Sequence, residues 1–332
     1  MDIEALRVRR EQRRLEIRRR RRRAAAALGL GLLAAAVIVL VALRSAGGPS
    51  GSSRGSASAS VSAHRHGPTR RGQTRGTNKS RDGTVKADAP SGPPGTDAVP
   101  ILMYHVIAAA PVGAPYPGLY VPPAEFAEQM LALKQAGWHA VTLDQVEAYW
   151  RHGVGLGAGK PIVLSFDNGY QSQYTQALPT LRRFDWVGDE NLQLTGLPPS
   201  QGGLGQQEIR GLVKAGWELD TQGFSHADLT TLDTEQLHYQ VAVARRVVQQ
   251  RYRVPVNWFC YPSGQYNATV IAAAKAAGYT GSTTVVPGWA HPSDDPYRLH
   301  RLRVLGGTTG ATLLAQLAGD RTDPPAPDAY ET

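Results

Sequence analysis

The stretch PIVLSFDNGY, Pro161 to Tyr170, decides the fold of this chain. Its apolar run from Ile162 leads directly into Asp167, Asn168 and Gly169. A short apolar run that ends in a carboxylate and a glycine is typical of a buried parallel strand with a polar carboxyl end. Ligands of α/β folds bind at such strand ends, so Asp167 is the first candidate for chemistry. The alternative is an Asp that only caps the following helix.

Short apolar runs alternate with amphipathic segments on both sides of this stretch. The pattern predicts further strands at residues 100–107, 139–143, 186–194, 217–222, 257–262, 279–284 and 299–305. Helices are predicted between them, one with a kink or break at Pro179. Strand–helix alternation repeated about seven times indicates an α/β fold with a parallel sheet, and a barrel rather than an open sheet. A phosphate-binding glycine motif does not follow the first strand, which argues against a nucleotide-binding fold.

The N-terminal part has the composition of a membrane anchor followed by a linker. Residues 1–23 are rich in arginine, and residues 24–43 are 20 uncharged, mostly apolar residues. A helix of that length spans about 30 Å, the thickness of a bilayer core. The arginines predict a cytoplasmic N-terminus and an extracytoplasmic C-terminal domain, in the cell membrane. A cleaved signal peptide is the alternative. Residues 44–98, rich in Ser, Gly, Pro and Arg, are predicted to be a disordered linker.

The charge is distributed unevenly along the chain. Residues 1–98 carry 20 Lys and Arg against 7 Asp and Glu, whereas residues 99–332 carry 16 against 20. The folded part is therefore mildly acidic, which argues against nucleic-acid binding. Cys260 is the only cysteine in the sequence, so an intradomain disulfide is excluded, and we expect a buried, inert thiol.

Polar side chains gather where the predicted strands end. The first strand contributes His105, the third contributes Asp167, and the segment after the fifth contributes His226. The remaining candidates at these strand ends are Tyr104, Asn168, Asp220, Gln222, Ser225, Asp228, Tyr261, Ser263, Gly264, His300, Arg301 and Arg303. A carboxylate and two histidines at one mouth indicate metal-assisted or acid–base hydrolysis.

Four segments, in order, resemble the polysaccharide deacetylases with a NodB-homology domain. They are PILMYHVI from residue 100, SFDNGY from residue 165, GWELDTQGFSHADLTTL from residue 216 and FCYPSGQYN from residue 259. The opening segment is similar to the extracytoplasmic branch that acts on N-acetylglucosamine polymers. The resemblance implies a distorted (β/α)7 barrel over residues 99–320, followed by a C-terminal tail at 321–332.

The resemblance also implies a reaction and roles for individual residues. In that family a divalent metal (zinc, nickel or cobalt) polarises the acetamide carbonyl and binds the attacking water. Carried over, Asp167 is the general base, His105 the acid and Arg301 the residue that orients the base. The backbone near Tyr261 would help to hold the oxyanion. Ser263 and Gly264 would line the sugar groove with it.

The metal positions depart from the family pattern. Asn168 stands where the ligand Asp is expected and Gln222 where the first His is expected, whereas His226 is retained. Neutral amides bind divalent metals more weakly than carboxylate or imidazole. Asp220, two residues before Gln222, is a candidate substitute ligand because alternate residues of a strand share a side.

The sequence thus leaves three functional hypotheses. The first is a membrane-anchored deacetylase that hydrolyses the N-acetyl groups of a cell-envelope polysaccharide or peptidoglycan-like glycan. The second is a catalytically silent relative that still binds glycan. The third, metal-free hydrolysis by Asp167 and His226, lacks the several kcal/mol that a Lewis acid supplies.

Trp289, in a loop, is a candidate for stacking on a sugar ring.

Overall fold

The computed structural model describes residues 92–114, 116–195, 197 and 202–319. The predicted arginine-rich segment at 1–23, the apolar span at 24–43, nearly all of the linker and the tail lie outside these residues. Within the described ranges, no helix is long and apolar enough to cross a membrane.

The centre of the domain is a curled sheet of eight parallel strands. The strands are β1 Ile101–Tyr104, β2 Trp138–Val141, β3 Lys160–Asn168, β4 Asp189–Leu192, β5 Glu218–Thr221, β6 Trp258–Cys260, β7 Gly281–Thr283 and β8 Leu302–Arg303. Seven of them follow the order β7-β6-β5-β4-β3-β1-β8, and β2 pairs with β3. The sheet curls into a half-barrel, and a parallel bridge between Thr283 and Leu299 links β7 to the segment before β8. The predicted parallel α/β architecture is confirmed.

β3 is the longest strand because it serves three neighbours. β1 pairs along Val163–Phe166, β2 pairs along the first half of β3, and β4 pairs from Ser165 to Asn168. Several other strands are shorter than predicted. Ile107 and Trp186 are buried by packing rather than by strand pairing, so the apolar pattern extends beyond the hydrogen-bonded strands.

Helices surround the outer face of the sheet. They are α1 Pro123–Gln135, α2 Leu143–His152, α3 Leu178–Arg182, α4 Gln206–Lys214, α5 Thr234–His238, α6 Ala244–Tyr252, α7 Ala268–Ala276 and α8 Gly310–Gly319. Two predicted helices are each interrupted by a π-helical segment, Gln173–Ala177 and Tyr239–Val243. The first lies directly before Pro179, which has no N–H to continue an α-helical pattern. The chain stays helical through Pro179 into α3, so the predicted kink or break stays a prediction.

The two faces of the strands have different chemistry. On the outer face Tyr104 stacks on Phe166 at 5.6 Å, and Phe166 stacks on Trp217 at 4.9 Å between ring centroids. Successive residues point to opposite faces, so Ser165 and Asp167 project to the inside of the curl. Trp289 is only 8% exposed and packs edge-on against Trp138 at 5.9 Å. The prediction that Trp289 stacks on a sugar is wrong, because the core already buries its ring.

Candidate active site

A buried ion pair lies where the carboxyl ends of the parallel strands meet, a region called the strand-end mouth from here on. Asp167, at the end of β3, meets Arg301, which directly precedes β8. Arg301 Nη1 donates to Asp167 Oδ1 at 2.7 Å, and Nη2 donates to Oδ2 at 2.9 Å. Arg301 Nε also donates to Thr284 O at 2.8 Å. A planar guanidinium suits this two-point contact, so Arg301, beside β8, holds the orientation of Asp167 across the intervening strand β1.

Further contacts fix the ionisation of Asp167. Asn191 Nδ2 donates to Oδ1 at 2.9 Å, and Cys260 Sγ lies 3.5 Å from Oδ2. Burial alone would raise the pKa of Asp167, but the charge and hydrogen bonds of Arg301 outweigh it and hold the pKa at about 2. The side chain is therefore a carboxylate at neutral pH and a weak base.

His105 lies beside this pair. Its Nε2 is 4.0 Å from Asp167 Oδ2, and its Nδ1 has no hydrogen-bond partner among the described residues. Burial lowers the pKa of His105 to about 4, although the nearby Asp167 raises it. Gln173 Nε2 donates to the backbone oxygens of His105 and Asp167, at 2.9 and 2.8 Å, and so ties the two strand ends together. A neutral imidazole must first take up a proton before it can act as an acid.

The three metal-ligand positions of the resemblance come together as a hydrogen-bonded amide cluster. The backbone N–H of Asn168 donates to Gln222 Oε1 at 2.9 Å, and Asn168 Nδ2 donates to Gln193 Oε1 at 3.1 Å. Gln222 Nε2 lies 3.5 Å from His226 Nε2. Asn168 has φ 79° and His226 has φ 50°, a strained region that clusters at functional sites. The amides thus hold the ends of β3, β4 and β5 together.

These residues do not fit the divalent metal that the resemblance implies. The cluster has one imidazole and no carboxylate, and its amide oxygens on Gln193 and Gln222 already accept hydrogen bonds from Asn168. Zinc, nickel and cobalt bind imidazole and carboxylate groups far better than amides. No group of three or more His, Cys, Asp or Glu that could hold a metal occurs in the described part of the chain.

Asp220, the candidate substitute ligand, is occupied elsewhere. Its Oδ1 accepts the backbone N–H groups of Asn257 at 3.1 Å and Trp258 at 2.9 Å. It belongs to a buried acidic cluster with Asp189 and Glu218, which are register partners on β4 and β5. Burial raises the pKa of all three carboxyls, and their mutual repulsion raises the pKa values further. The prediction that Asp220 acts as a substitute metal ligand beside Gln222 and His226 is therefore wrong.

This cluster predicts that stability falls as pH rises. Each folded pKa lies above its ordinary value of 3.8 or 4.5, so the favourable contribution is complete below about pH 4 and is lost as pH rises through the raised folded values. Asp220→Asn keeps the Oδ1 acceptor and removes one charge. We expect it to increase the free energy of unfolding at pH 8 by about 1–3 kcal/mol, with a smaller gain at pH 5.

Urea denaturation at both pH values measures this difference. The exposed Glu235→Gln, which also removes one negative charge, serves as the control. An Asp220→Asn variant with the same stability as wild type at pH 8 would show that the buried charge carries no penalty.

The third motif differs from the roles implied for it. The backbone N–H of Tyr261 donates to Thr283 O at 3.3 Å, and its hydroxyl donates to Tyr297 O at 3.0 Å. Its ring stacks on Tyr266 at 4.8 Å. That N–H is therefore committed to the backbone of β7, and the contribution of the backbone near Tyr261 to an oxyanion site stays a prediction. Ser263 is exposed with φ 55°, and Gly264 is buried with φ 71°. Because glycine has no side chain, only Ser263 can offer a side-chain group to a sugar here.

Sequence reasoning missed several residues of the site. Asn191, Gln193 and Gln173 are neutral, and no motif marks them. One signal was present: Asn191 and Gln193 alternate at the end of the predicted fourth strand, as the polar residues do at the end of β3. Their importance follows from register, since Asn191 is the strand partner of Asp167.

Comparisons with known proteins agree with this fold. Residues 156–282 match the family model described as Polysaccharide deacetylase. The matched stretch runs from just before β3 into β7.

Individual relatives extend this finding. The chain is 25% identical over 219 residues, 66% of this chain and 76% of the other, to Bacillus subtilis YxkH, whose name assigns it to the polysaccharide deacetylases. A segment of 59 residues, 18% of this chain, is 41% identical to 9% of the Escherichia coli poly-beta-1,6-N-acetyl-D-glucosamine N-deacetylase. The structure of the Streptococcus pyogenes deacetylase PplD with acetate superposes with a TM-score of 0.60 and 25% identity, over 67% of this chain and 98% of that one.

Proposed function

We propose that this domain binds an N-acetylated glycan of the cell envelope at the strand-end mouth, and that its hydrolysis of the N-acetyl groups is weak or absent. The similarity to a poly-N-acetylglucosamine deacetylase supports the choice of glycan. The observation that carries the proposal is the amide cluster of Asn168, Gln193 and Gln222. It brings the three expected ligand positions together while lacking the charged donors that bind a divalent metal.

The remaining polar groups suit recognition of a neutral sugar. Asp167 supplies a buried negative charge that Arg301 holds in one orientation. Burial lowers the pKa values of His105 and His226, so both are neutral hydrogen-bonding groups at pH 7. Hydroxyl and acetamide groups of a glycan pair with such acceptors and donors. Binding therefore needs no metal.

An active deacetylase is the second candidate, and one observation favours it. Asp167, His105 and Arg301, the residues of the implied acid–base machinery, lie together in one buried arrangement. In that reaction water would break the acetamide C–N bond and release acetate and a free amine. The low pKa of Asp167 and the neutral state of His105 both weaken acid–base help at pH 7.

Glycan binding and acetate release by the purified full chain test the proposal. We expect an N-acetylglucosamine hexamer to bind, measured by titration calorimetry, with acetate release at background with or without added zinc, nickel or cobalt. Stoichiometric metal together with turnover that Asp167→Asn abolishes would overturn the silent site in favour of the active enzyme. The absence of any glycan binding would overturn the proposal altogether.

We also propose that residues 24–43 anchor the chain in the cell membrane, with the C-terminal domain extracytoplasmic. The arginine run at 18–23 and the uncharged span support this placement. A protease-protection assay tests it, since digestion of the domain only from the cytoplasmic side would reverse the topology.

A further inference from the structure

The turn after β5 is clamped by one buried glutamine. Gln240 Oε1 accepts the backbone N–H groups of Phe224 at 2.8 Å and Ser225 at 3.0 Å, and Gln240 Nε2 donates to Ser225 Oγ at 2.7 Å. The side chain of Gln240 is buried, and both its oxygen and its nitrogen take part in these contacts. The same turn carries His226 of the candidate site. The hydrogen bonds of Gln240 therefore set the positions of both the turn and His226.

The loop after β4 holds this turn from the other side. Thr195 donates to Phe224 O through its backbone N–H at 2.8 Å and through Oγ1 at 3.0 Å. Thr195 O in turn accepts Gln193 Nε2 at 2.5 Å. Because Gln193 also binds Asn168, a continuous chain of hydrogen bonds runs from the amide cluster to the turn. The backbone of Phe224 is therefore fixed relative to the site.

Phe224, in this turn, packs against Tyr239, the residue that precedes Gln240. The rings of Phe224 and Tyr239 are 4.4 Å apart between centroids and tilted by 32°. Tyr239 is 46% exposed, whereas Phe224 is partly buried behind it. Tyr239 opens the π-helical segment Tyr239–Val243 that contains Gln240. A π-helical insertion disturbs the regular helix and is frequent at functional sites. Here it presents a large ring to solvent on a rigid support.

We propose that Tyr239, supported by Phe224, is a stacking platform for one pyranose ring of the bound glycan, in the subsite next to the mouth. The inference rests on the proposed function and names where the chain of sugars continues. A pyranose has an apolar face of C–H groups, which an aromatic face binds without charge. A rigid, backed ring loses little conformational entropy on binding. Such a platform suits a neutral polymer better than an acidic one.

Affinity for an N-acetylglucosamine hexamer, measured with the full chain and its variants, tests the platform. Tyr239→Ala should weaken binding about 3- to 10-fold, which corresponds to the energy of one aromatic contact. Tyr239→Phe keeps the ring and should stay within about twofold of wild type. Leu131→Ala removes apolar surface from a residue that is also 46% exposed, on α1, and should bind like wild type.

The outcomes separate the platform from the proposed function. If wild type binds the hexamer and Tyr239→Ala binds equally well, the platform is wrong and glycan binding stands. If wild type does not bind, both fail. Thermal unfolding checks that each variant is folded, and Tyr239→Leu provides a second test because it keeps apolar bulk without an aromatic face. Wild-type affinity in that variant would also overturn the stacking role.

Discussion

Replacing Asn168 by Asp and Gln222 by His together is expected to create a divalent-metal site and to raise acetate release from N-acetylglucosamine oligomers by about 100-fold or more. The double variant would place one carboxylate and two imidazoles, with His226, on strand ends that the wild-type amide cluster already brings together. That donor set is one that zinc prefers. A metal bound there would supply the Lewis acid that the present residues do not support.

The two substitutions should act together rather than additively. Asn168 Nδ2 donates to Gln193 Oε1 at 3.1 Å, which an Asp at position 168 cannot do. Without a cation, a carboxylate oxygen of that Asp would therefore face Gln193 Oε1. The Gln222→His single variant supplies a second imidazole but no carboxylate. Each single variant should therefore bind metal weakly, and Asn168→Asp alone should lose stability.

Zinc titration by calorimetry and an acetate assay measure both effects. The triple variant that also carries Asp167→Asn is the control, and it should bind metal without turning over substrate. Failure of the double variant to bind zinc would show that strain at Asn168 and His226, and not the amide chemistry, prevents the site from forming. Equal metal affinity in wild type would contradict the interpretation of the amide cluster.

Replacing Arg301 by Met is expected to lower the free energy of unfolding by about 3–5 kcal/mol, because it leaves the buried carboxylate of Asp167 without its counter-charge. Both side chains are essentially inaccessible to solvent. The variant also loses the Nε contact to Thr284 and the Nη1 contact to Ser165. Asp167→Asn combined with Arg301→Met should recover part of the loss, since neither charge then remains buried alone.

The same pair predicts a dependence on acid. The folded pKa of Asp167, about 2, lies below its ordinary value of 3.8. The contribution of the ion pair is therefore present above about pH 4 and is lost as pH falls toward 2. Arg301→Met should lack this acid-side loss, because burial then raises the pKa of Asp167 instead of Arg301 lowering it.

Urea denaturation of the wild type, both single variants and the double variant, between pH 7 and 3, gives the coupling energy directly. The His152→Gln variant, on the exposed end of α2, controls for a change of an ionisable surface residue. An Arg301→Met variant that loses less than about 1 kcal/mol would mean that solvent reaches Asp167 and replaces the guanidinium.

Local chemistry explains why some parts of the fold and site could be predicted. The run from Ile162 to Gly169 can satisfy its apolar side chains and backbone only as a buried strand, and it is the longest strand of the sheet. Asp167 follows from that run alone. Strand lengths were overestimated because packing buries residues such as Trp186 beyond the paired segment.

Direction and partnership explain why other parts could not. Asp220 and Gln222 share a strand side in sequence, yet Asp220 binds the N–H groups of Asn257 and Trp258 whereas Gln222 binds Asn168. The loop position of Trp289 suggested a ring at the surface, but its side chain is buried in the core. No sequence motif marks Tyr239, whose ring is exposed. Whether a side chain faces the mouth, the core or solvent depends on contacts between residues far apart in the chain.

By itself, the sequence determined the alternation of strands and helices, the carboxylate at the end of the central strand and the substitution of amides at the metal positions. The first two follow from residue types and their spacing, which act over a few residues, and the third follows from the resemblance to the deacetylases. The resemblance implied that Arg301 orients Asp167, 134 positions away, but only the tertiary structure decided that the two form a buried two-point ion pair and that the amides bind one another. The physical reason is that ionisation and hydrogen bonding depend on what burial brings within about 3 Å, and the curl of the sheet alone sets those distances.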